Sequence, residues 1–323
     1  MLHVHAMLLM LAAMAGIAGT VGAQTFPSKP LRIIVPFPPG GASDVTSRIL
    51  GEQISKPLGQ PVLVDNRPGA GAVIGYELGA KAAPDGYTLL MTLNSIVISP
   101  EADRLLGRTP LYELKQLMPI AQVLSDPNVL AVPASSPWQS LKDLVDDAKT
   151  RPGAISYSSS GNYGATHVSL EMLASAAGIK LLHVPYRGMG PAITGLLSNQ
   201  VALTAAAPGP FASHVQAGTL RVLGTMSAAR LPGLPNVPTF KEQGYPVEFY
   251  VWAGLFAPQN VPAPVVARLR EAMREAVQMP TVTSVFKTAG TAAAYLDAPQ
   301  FAKVVETDSA LLGKVIKSIG KLE

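Results

Sequence analysis

One local pattern recurs along this chain. A short apolar or β-branched run leads into a loop of glycine, proline and small hydroxyl residues, and the loop opens a segment with helical spacing of apolar side chains. At 31–50 the residues LRIIVPFPPGGASDVTSRIL read as a strand over 31–35, a Pro/Gly loop, and a helix opening at Ser43 or Asp44 and running to about Lys56. The same order returns at 61–82, at 155–177 and from 181 onward. Alternation of strand and helix periods on this scale dictates an α/β architecture, whose strands run parallel wherever a helix joins them. The loops at the strands' carboxyl ends then lie along one sheet edge, where such sheets bind ligands.

The first of these loops has chemistry of its own. Gly40 and Gly41 are expected to take positive φ and bring the backbone close to a ligand, while Pro36, Pro38 and Pro39 stiffen the approach. The helix it opens leaves its first amides without intrahelical acceptors and carries about half a positive charge at its mouth, which suits an anion. A plain, well-capped strand-to-helix turn would look the same.

Composition narrows the partners. The chain has 323 residues, 48% hydrophobic and only 14% charged, enough for two domains with a sizeable core. Its net charge of +4 is spread without a Lys/Arg run, so no nucleic acid is expected. The absence of cysteine removes disulfides, thiolate nucleophiles and zinc ribbons. The five histidines are His3, His5, His167, His183 and His214, and none has a metal-ligand spacing, so no metal and no cofactor are expected. Residues 7–21 form an apolar stretch followed by Val21-Gly22-Ala23, which reads as a signal peptide over 1–23 with cleavage before Gln24. The alternative is an uncleaved anchor, although the stretch barely reaches the ~20 residues of a spanning helix. The mature chain is therefore placed outside the cytoplasm.

The second loop, Gly69-Ala70-Gly71-Ala72-Val73-Ile74-Gly75, invites comparison with the dinucleotide fingerprint, but Ile74 stands where the third glycine is required. These glycines read as loop and packing residues. Strands are expected at 87–91, 120–124, 129–132, 155–158, 181–184, 201–204 and 220–225, with a helix at 140–149 whose Leu141, Leu144, Val145 and Ala148 form one apolar stripe. The segment 231–238 holds three prolines and reads as surface loop. After an apolar, aromatic run at 249–256, helices near 264–277, 281–288 and 299–319 are expected to return to the first unit. Connections near Leu124 and Tyr250 would join two lobes, 24–124 plus 251–323 and 125–250, with a cleft between them.

The segments VPFPPGGASDVTSRIL, NRPGAGAVIG, APDGYTLLM, SYSSSGNYGATH, HVPYRG and WAGLFAP, in this order, resemble the substrate-binding proteins of tripartite tricarboxylate transporters, the Bug receptors. The resemblance runs from Phe26 to Leu322. It implies a two-domain periplasmic binding protein of type II, each lobe a sheet flanked by helices, joined by two crossing strands. It also implies a monomeric receptor that takes a small carboxylate, a di- or tricarboxylate, to membrane permease subunits.

Carried over by position, the resemblance assigns ligand contacts to Pro38, Pro39, Gly40, Gly41, Ala42, Ser43 and Asp44 in the first loop. It assigns Ser159, Ser160, Gly161, Asn162, Thr166 and His167 in the second unit, and Tyr186, Arg187 and Gly188 at the cleft rim. Two departures reshape the pocket: Tyr163 replaces a small residue, and Ala205-Ala206-Ala207 replaces a segment that often carries Asp and an aromatic. Tyr163 and Ala207 therefore join the candidates, as does Asn94 at a strand end.

Several residues admit two readings. His167 either touches the ligand or orients the 159–166 loop. Asp44, ill placed for an anion, is expected to accept from first-turn amides as a cap. Arg187 either binds a distal carboxylate or bridges the lobes. Tyr163 and Trp252 either stack on an aromatic carboxylate, the alternative ligand class, or fill the cleft wall. A secreted α/β hydrolase is the alternative of another class; Ser159 or Ser160 with His167 would serve it, but the nucleophile elbow G-x-S-x-G is missing, and the chain is expected not to be an enzyme. A membrane-anchored sensor is a third reading.

Overall fold

In the computed structural model, residues 26–322 are described. The expected signal peptide lies outside them. Among them no helix is long and apolar enough to cross a membrane.

In chain order the elements are β1 (Leu31–Val35), α1 (Ala42–Leu58), β2 (Val62–Asn66), α2 (Val73–Ala80), β3 (Thr88–Leu93), α3 (Ser95–Leu105), β4 (Leu117–Pro127) and β5 (Val129–Pro133). Then come α4 (Leu141–Thr150), β6 (Ser156–Ser159), α5 (Ala165–Ala177), β7 (Leu182–Pro185), α6 (Met189–Leu197), β8 (Leu203–Ala206), α7 (Ala212–Gln216) and β9 (Leu220–Thr225). The chain ends with β10 (Tyr250–Pro258), α8 (Ala263–Val277), α9 (Pro280–Thr288), β11 (Ala293–Asp297) and α10 (Ala298–Ile319).

The strands form two mixed sheets, ordered β11-β4-β10-β3-β1-β2 and β7-β6-β8-β5-β9. β1 pairs in parallel with β2 and β3, as the intervening helices require. β10 instead runs antiparallel to both β3 and β4, so the first sheet is not parallel throughout. Side chains alternate across it. Leu31, Ile33 and Val35 face the layer containing Leu50 and Ile54 of α1 and Leu269 and Met273 of α8, while Ile34 faces Tyr76, Tyr112 and Phe301.

β4 and β10 carry the chain between the sheets side by side. The expectation of a strand ending at Leu124 before a Ser-Asp-Pro-Asn turn is corrected: β4 pairs with β10 from Leu117↔Pro258 to Pro127↔Tyr250. Cross-strand pairing overrides the local turn signal. Asn128 then donates its amide to the Phe249 carbonyl at 3.0 Å, and β5 starts one residue later.

The expected apolar stripe of α4 is buried, and Ser140 caps that helix in a reciprocal pair with Asp143. Three elements went unread in the sequence. Pro100 lies inside α3 and argues locally against a helix there, β11 is a short edge strand recruited by β4, and α7 is only 5 residues long. α8 and α9 pack on α1 as expected, but α10 lies against α3 and β4 and also reaches α5 of the other sheet.

Candidate functional site

The first loop departs from expectation in two ways. Gly40 takes φ +87°, but Gly41 is extended at φ −79°, ψ 170°, and a Cβ there would meet nothing closer than the Pro38 carbonyl at 3.8 Å. Gly41 is the N-cap, so α1 starts at Ala42, ahead of Ser43 and Asp44. Asp44 is likewise no cap on first-turn amides. Its carboxylate reaches back to accept the Gly40 amide at 2.9 Å, Arg48 Nε at 3.1 Å and Asn66 Nδ2 at 3.0 Å, while the same Asn66 nitrogen donates to the Phe37 carbonyl. As the third helical residue, Asp44 sits one turn from Gly40, so its side chain bolts the loop to β2. Burial alone would raise its pKa; Arg48, the Gly40 amide and Asn66 together outweigh this and hold the carboxyl below its ordinary range.

The second loop carries four consecutive residues at positive φ: Gly69 (+136°), Ala70 (+46°), Gly71 (+66°) and Ala72 (+82°). Two of them are alanines, at a cost of about 1 kcal/mol or more each. Gly75, where a Cβ would lie 2.6 Å from Pro36 Cβ, lets α2 press against the first loop. The packing reading of the later glycines fits this contact, while the loop itself lines a cavity.

That cavity, of about 610 Å³, opens between the sheets. Its walls are residues 36–38 after β1, residues 68–73 with the N-terminus of α2, Leu93, Asn94 and Ser95 at the end of β3, and residues 160–165 with the N-terminus of α5. Asn94 is 1% exposed. Its backbone amide donates to the Trp252 carbonyl at 3.2 Å and its Nδ2 to the Tyr250 carbonyl at 2.9 Å, leaving Oδ1 without a partner among the described residues. The cation on the wall is Arg108, paired with Asp103 at 2.7 Å.

The 159–167 loop is built from its own side chains. Thr166 Oγ1 accepts the Ser160 amide at 2.9 Å, Ser159 Oγ accepts the Gly161 amide at 3.2 Å, and His167 Nδ1 accepts the Tyr163 amide at 3.0 Å. His167 therefore orients the loop, the second of its two readings. Its ring stacks on His183 at 3.8 Å, and His183 Nε2 is 2.6 Å from Ser159 Oγ. Burial depresses both imidazoles, His167 to about 3, with His183 contributing, and His183 to about 4. Both are neutral at physiological pH.

A second cavity of about 430 Å³ lies on the far side of the first loop and shares Leu93 and Val251 with the first. It is walled by Gly40, Ala42, Val45 and Thr46 of the α1 N-terminus, by Leu124 and Asp126 of β4, by Ala207, Gly209 and Pro210 after β8, and by Phe286 with 289–291.

The expected site residues thus divide. Pro38, Asn94, Ser160, Gly161, Asn162 and Tyr163 wall the first cavity. Gly40, Ala42 and Ala207 wall the second. Pro39, Gly41 and Ser43 wall neither, and Asp44, Ser159, Thr166 and His167 stand behind the loops as supports. The turn of Tyr186 and Gly188 meets the 159–161 loop through backbone bonds to Ser159 and Ser160. The Tyr186 side chain itself turns to Gln200 and against Gly195. Arg187 is exposed and makes no ion pair among the described residues, so the lobe-bridging salt bridge is not formed.

The two aromatics part as well. Trp252 is buried against Phe256 and Phe301 with Nε1 donating to Asp308 at 2.7 Å, and it does not wall the first cavity. Tyr163 walls that cavity, and its hydroxyl is committed to the C-terminal segment. Sequence reasoning missed Arg108, Asp103 and residues 68–73. An apolar period through Ile96, Val97, Ile98 and Ala102 was the available signal for α3, and hence for the pair formed by Asp103 in its last turn and Arg108 just beyond it.

Comparison with known proteins adds the family. The model of the tripartite tricarboxylate transporter family receptor matches residues 46–321. Protein BugT of Bordetella pertussis is 36% identical over 280 residues, 86% of this chain and 85% of its own length. An R. palustris protein solved with adipate superposes with a TM-score of 0.78 at 28% identity, covering 90% of this chain and 97% of that one. MatC from Rhodopseudomonas palustris, solved with bound malate, gives 0.75 at 25% identity, covering 90% and 100%.

Proposed function

The chain belongs to the tripartite tricarboxylate transporter receptor family, and from that footing we propose that it is an extracytoplasmic receptor that holds a small carboxylate between its two sheets and delivers it to the membrane permease subunits of a tripartite transporter. One observation carries the reading: the N-termini of α2 and α5, one from each sheet, wall the same cavity. Each presents the positive end of a helix dipole, and α5 presents first-turn amides that lack intrahelical acceptors, while at α2 the Val73 amide is taken by the Ala70 carbonyl of the preceding turn. A helix-end contact with an anion contributes on the order of 0.3–2 kcal/mol, and micromolar affinity needs about 8 kcal/mol. Arg108, water bridges and closure of the cleft must therefore add to the two helix ends.

In this reading the protein works as a monomer in the periplasm, exported by residues 1–23. The lobes 24–124 plus 251–323 and 125–250 hinge where β4 and β10 cross. A di- or tricarboxylate is the ligand class that the family points to, and relatives solved with adipate and malate support a carboxylate. An aromatic acid held between Tyr163 and Trp252 loses its support, because Trp252 is buried and does not wall the cavity. A hydrolase is disfavoured by Ser159: its hydroxyl is buried, is shared between His183 and Gly161, and walls neither cavity.

Calorimetric titration and thermal unfolding against C4–C6 dicarboxylates, citrate, amino acids and benzene carboxylates test the reading. A true ligand at 100 times its Kd adds about 2.7 kcal/mol of stability. Failure of every carboxylate to bind, together with ester turnover that depends on Ser159, would overturn it.

A further inference from the structure

A third cavity, of about 360 Å³, lies among β4, β10, β11 and α10. Side chains alternate along β10: Val251 walls the first and second cavities, while its neighbours Tyr250 and Trp252 wall this one. The α10 helix supplies Val304, Thr307, Asp308, Leu311 and Leu312, whose spacing of three and four residues puts them on one helix face. Leu311 is 42% exposed, a large apolar side chain left in solvent beside a formed cavity.

The wall is aromatic and acidic at once. Phe249, Tyr250 and Trp252 line it together with the carboxylates of Glu248 and Asp308, and its lining includes no lysine, arginine or histidine among the described residues. Asp308 accepts Trp252 Nε1 at 2.7 Å, and neither carboxylate takes part in an ion pair among the described residues. Burial raises the pKa of Asp308, the Trp252 bond opposing, as befits an acid that lacks a countercharge.

Three kinds of solute can be compared. An anion would meet like charge, and a neutral apolar solute would strip water from the carboxylates and put nothing in its place. A cation with an apolar body supplies the countercharge, covers Leu311 and Leu312 with its hydrocarbon part, and is attracted by aromatic walls. The volume is that of a small-molecule site.

We propose that this cavity is a binding site for a small organic cation, an alkylammonium or quaternary ammonium compound whose charge is held by Asp308 and Glu248 and whose apolar part lies on the 304–312 face of α10. The site is separate from the carboxylate cavity and does not rest on the carboxylate reading.

The test compares two probes of one shape, choline and its uncharged isostere 3,3-dimethylbutan-1-ol, titrated into the purified protein by calorimetry. Choline is expected to bind at least about tenfold tighter than the alcohol, because the alcohol leaves the carboxylates without a countercharge. Asp308→Asn keeps an oxygen for Trp252 Nε1 and removes the charge; it is expected to weaken choline about tenfold and to leave the alcohol unchanged. The chain has two tryptophans, so in Trp138→Phe the emission of Trp252 alone reports the site, and choline is expected to change it saturably. Absence of choline binding, or a choline affinity no better than that of the alcohol, overturns the proposal. So does choline binding that survives both Asp308→Asn and Glu248→Gln. The wild-type comparison of the two probes decides even if a variant fails to fold. Failure of every carboxylate to bind would overturn the receptor reading and leave this site standing.

Discussion

The hydroxyl of Tyr163 donates to the carbonyl of Gly320 at 2.9 Å. It also accepts the Leu322 amide at 3.0 Å, so the second sheet's cavity loop is tied to the end of the helix that packs on the first sheet. The tie lies outside the β4/β10 crossing and spans the two halves of the molecule. Tyr163→Phe should cost about 1 kcal/mol of stability from the lost hydrogen bonds, read as a lower urea midpoint with unchanged m-value. An unchanged midpoint would mean that the tie contributes nothing.

The paired histidines make stability fall in acid. Both are depressed in the folded chain, to about 3 for His167 and about 4 for His183, against about 6.5 when unfolded. Above 6.5 both states bind no proton there and the contribution is complete. Below it the unfolded chain binds protons that the folded chain refuses, and stability drops by up to about 1.4 kcal/mol per pH unit per histidine until the folded values are reached. Urea midpoints at pH 7, 6 and 5 should therefore decline, and His167→Gln should flatten the decline.

Arg108 and Arg187 separate by substitution. Arg108 stands on the cavity wall and Arg187 does not. Arg108→Gln should weaken the best carboxylate ligand by about fivefold, a modest value because the side chain is largely solvated. Arg187→Gln should leave affinity unchanged. The reverse result would return the distal carboxylate to the 186–188 turn.

Asp44 acts on the first loop from behind. Removing its carboxylate with Asp44→Ala strands the Gly40 amide and Asn66, for a loss on the order of 2 kcal/mol. Its depressed pKa adds a signature: the contribution is present above about pH 4 and disappears as pH falls through the folded value. The gap between wild-type and Asp44→Asn midpoints should therefore close in acid. A gap that is constant with pH would exclude the charge as its source.

Much of this was legible in the linear chain. The strand-loop-helix units at 31–58, 155–177 and 181–197 were readable because short β-branched runs and glycine-rich loops are local signals, as was the α4 stripe of Leu141, Leu144, Val145 and Ala148. The 159–167 loop was found in the right place, and its His167 was open to the role it plays. The misread boundary at 125–127 and the unread α3 have separate causes: pairing with β10 overrides the turn residues of the former, and Pro100 argues locally against a helix in the latter.

The amino-acid sequence by itself determined the α/β alternation, the loops that end the strands and the glycines and capping residues that shape them, because each depends on neighbours a few residues away. Which loops share a cavity was decided only by tertiary structure. Sheet order sets α2 opposite α5 and turns the α1 mouth toward a separate, apolar chamber. The pleat of β10 sends Trp252 to Phe301 and Asp308 while its backbone carbonyl meets Asn94, and the end of α3 brings Arg108 to the wall. Strand pairing, side-chain direction and helix packing join residues far apart in the chain, and no local pattern of residues carries that information.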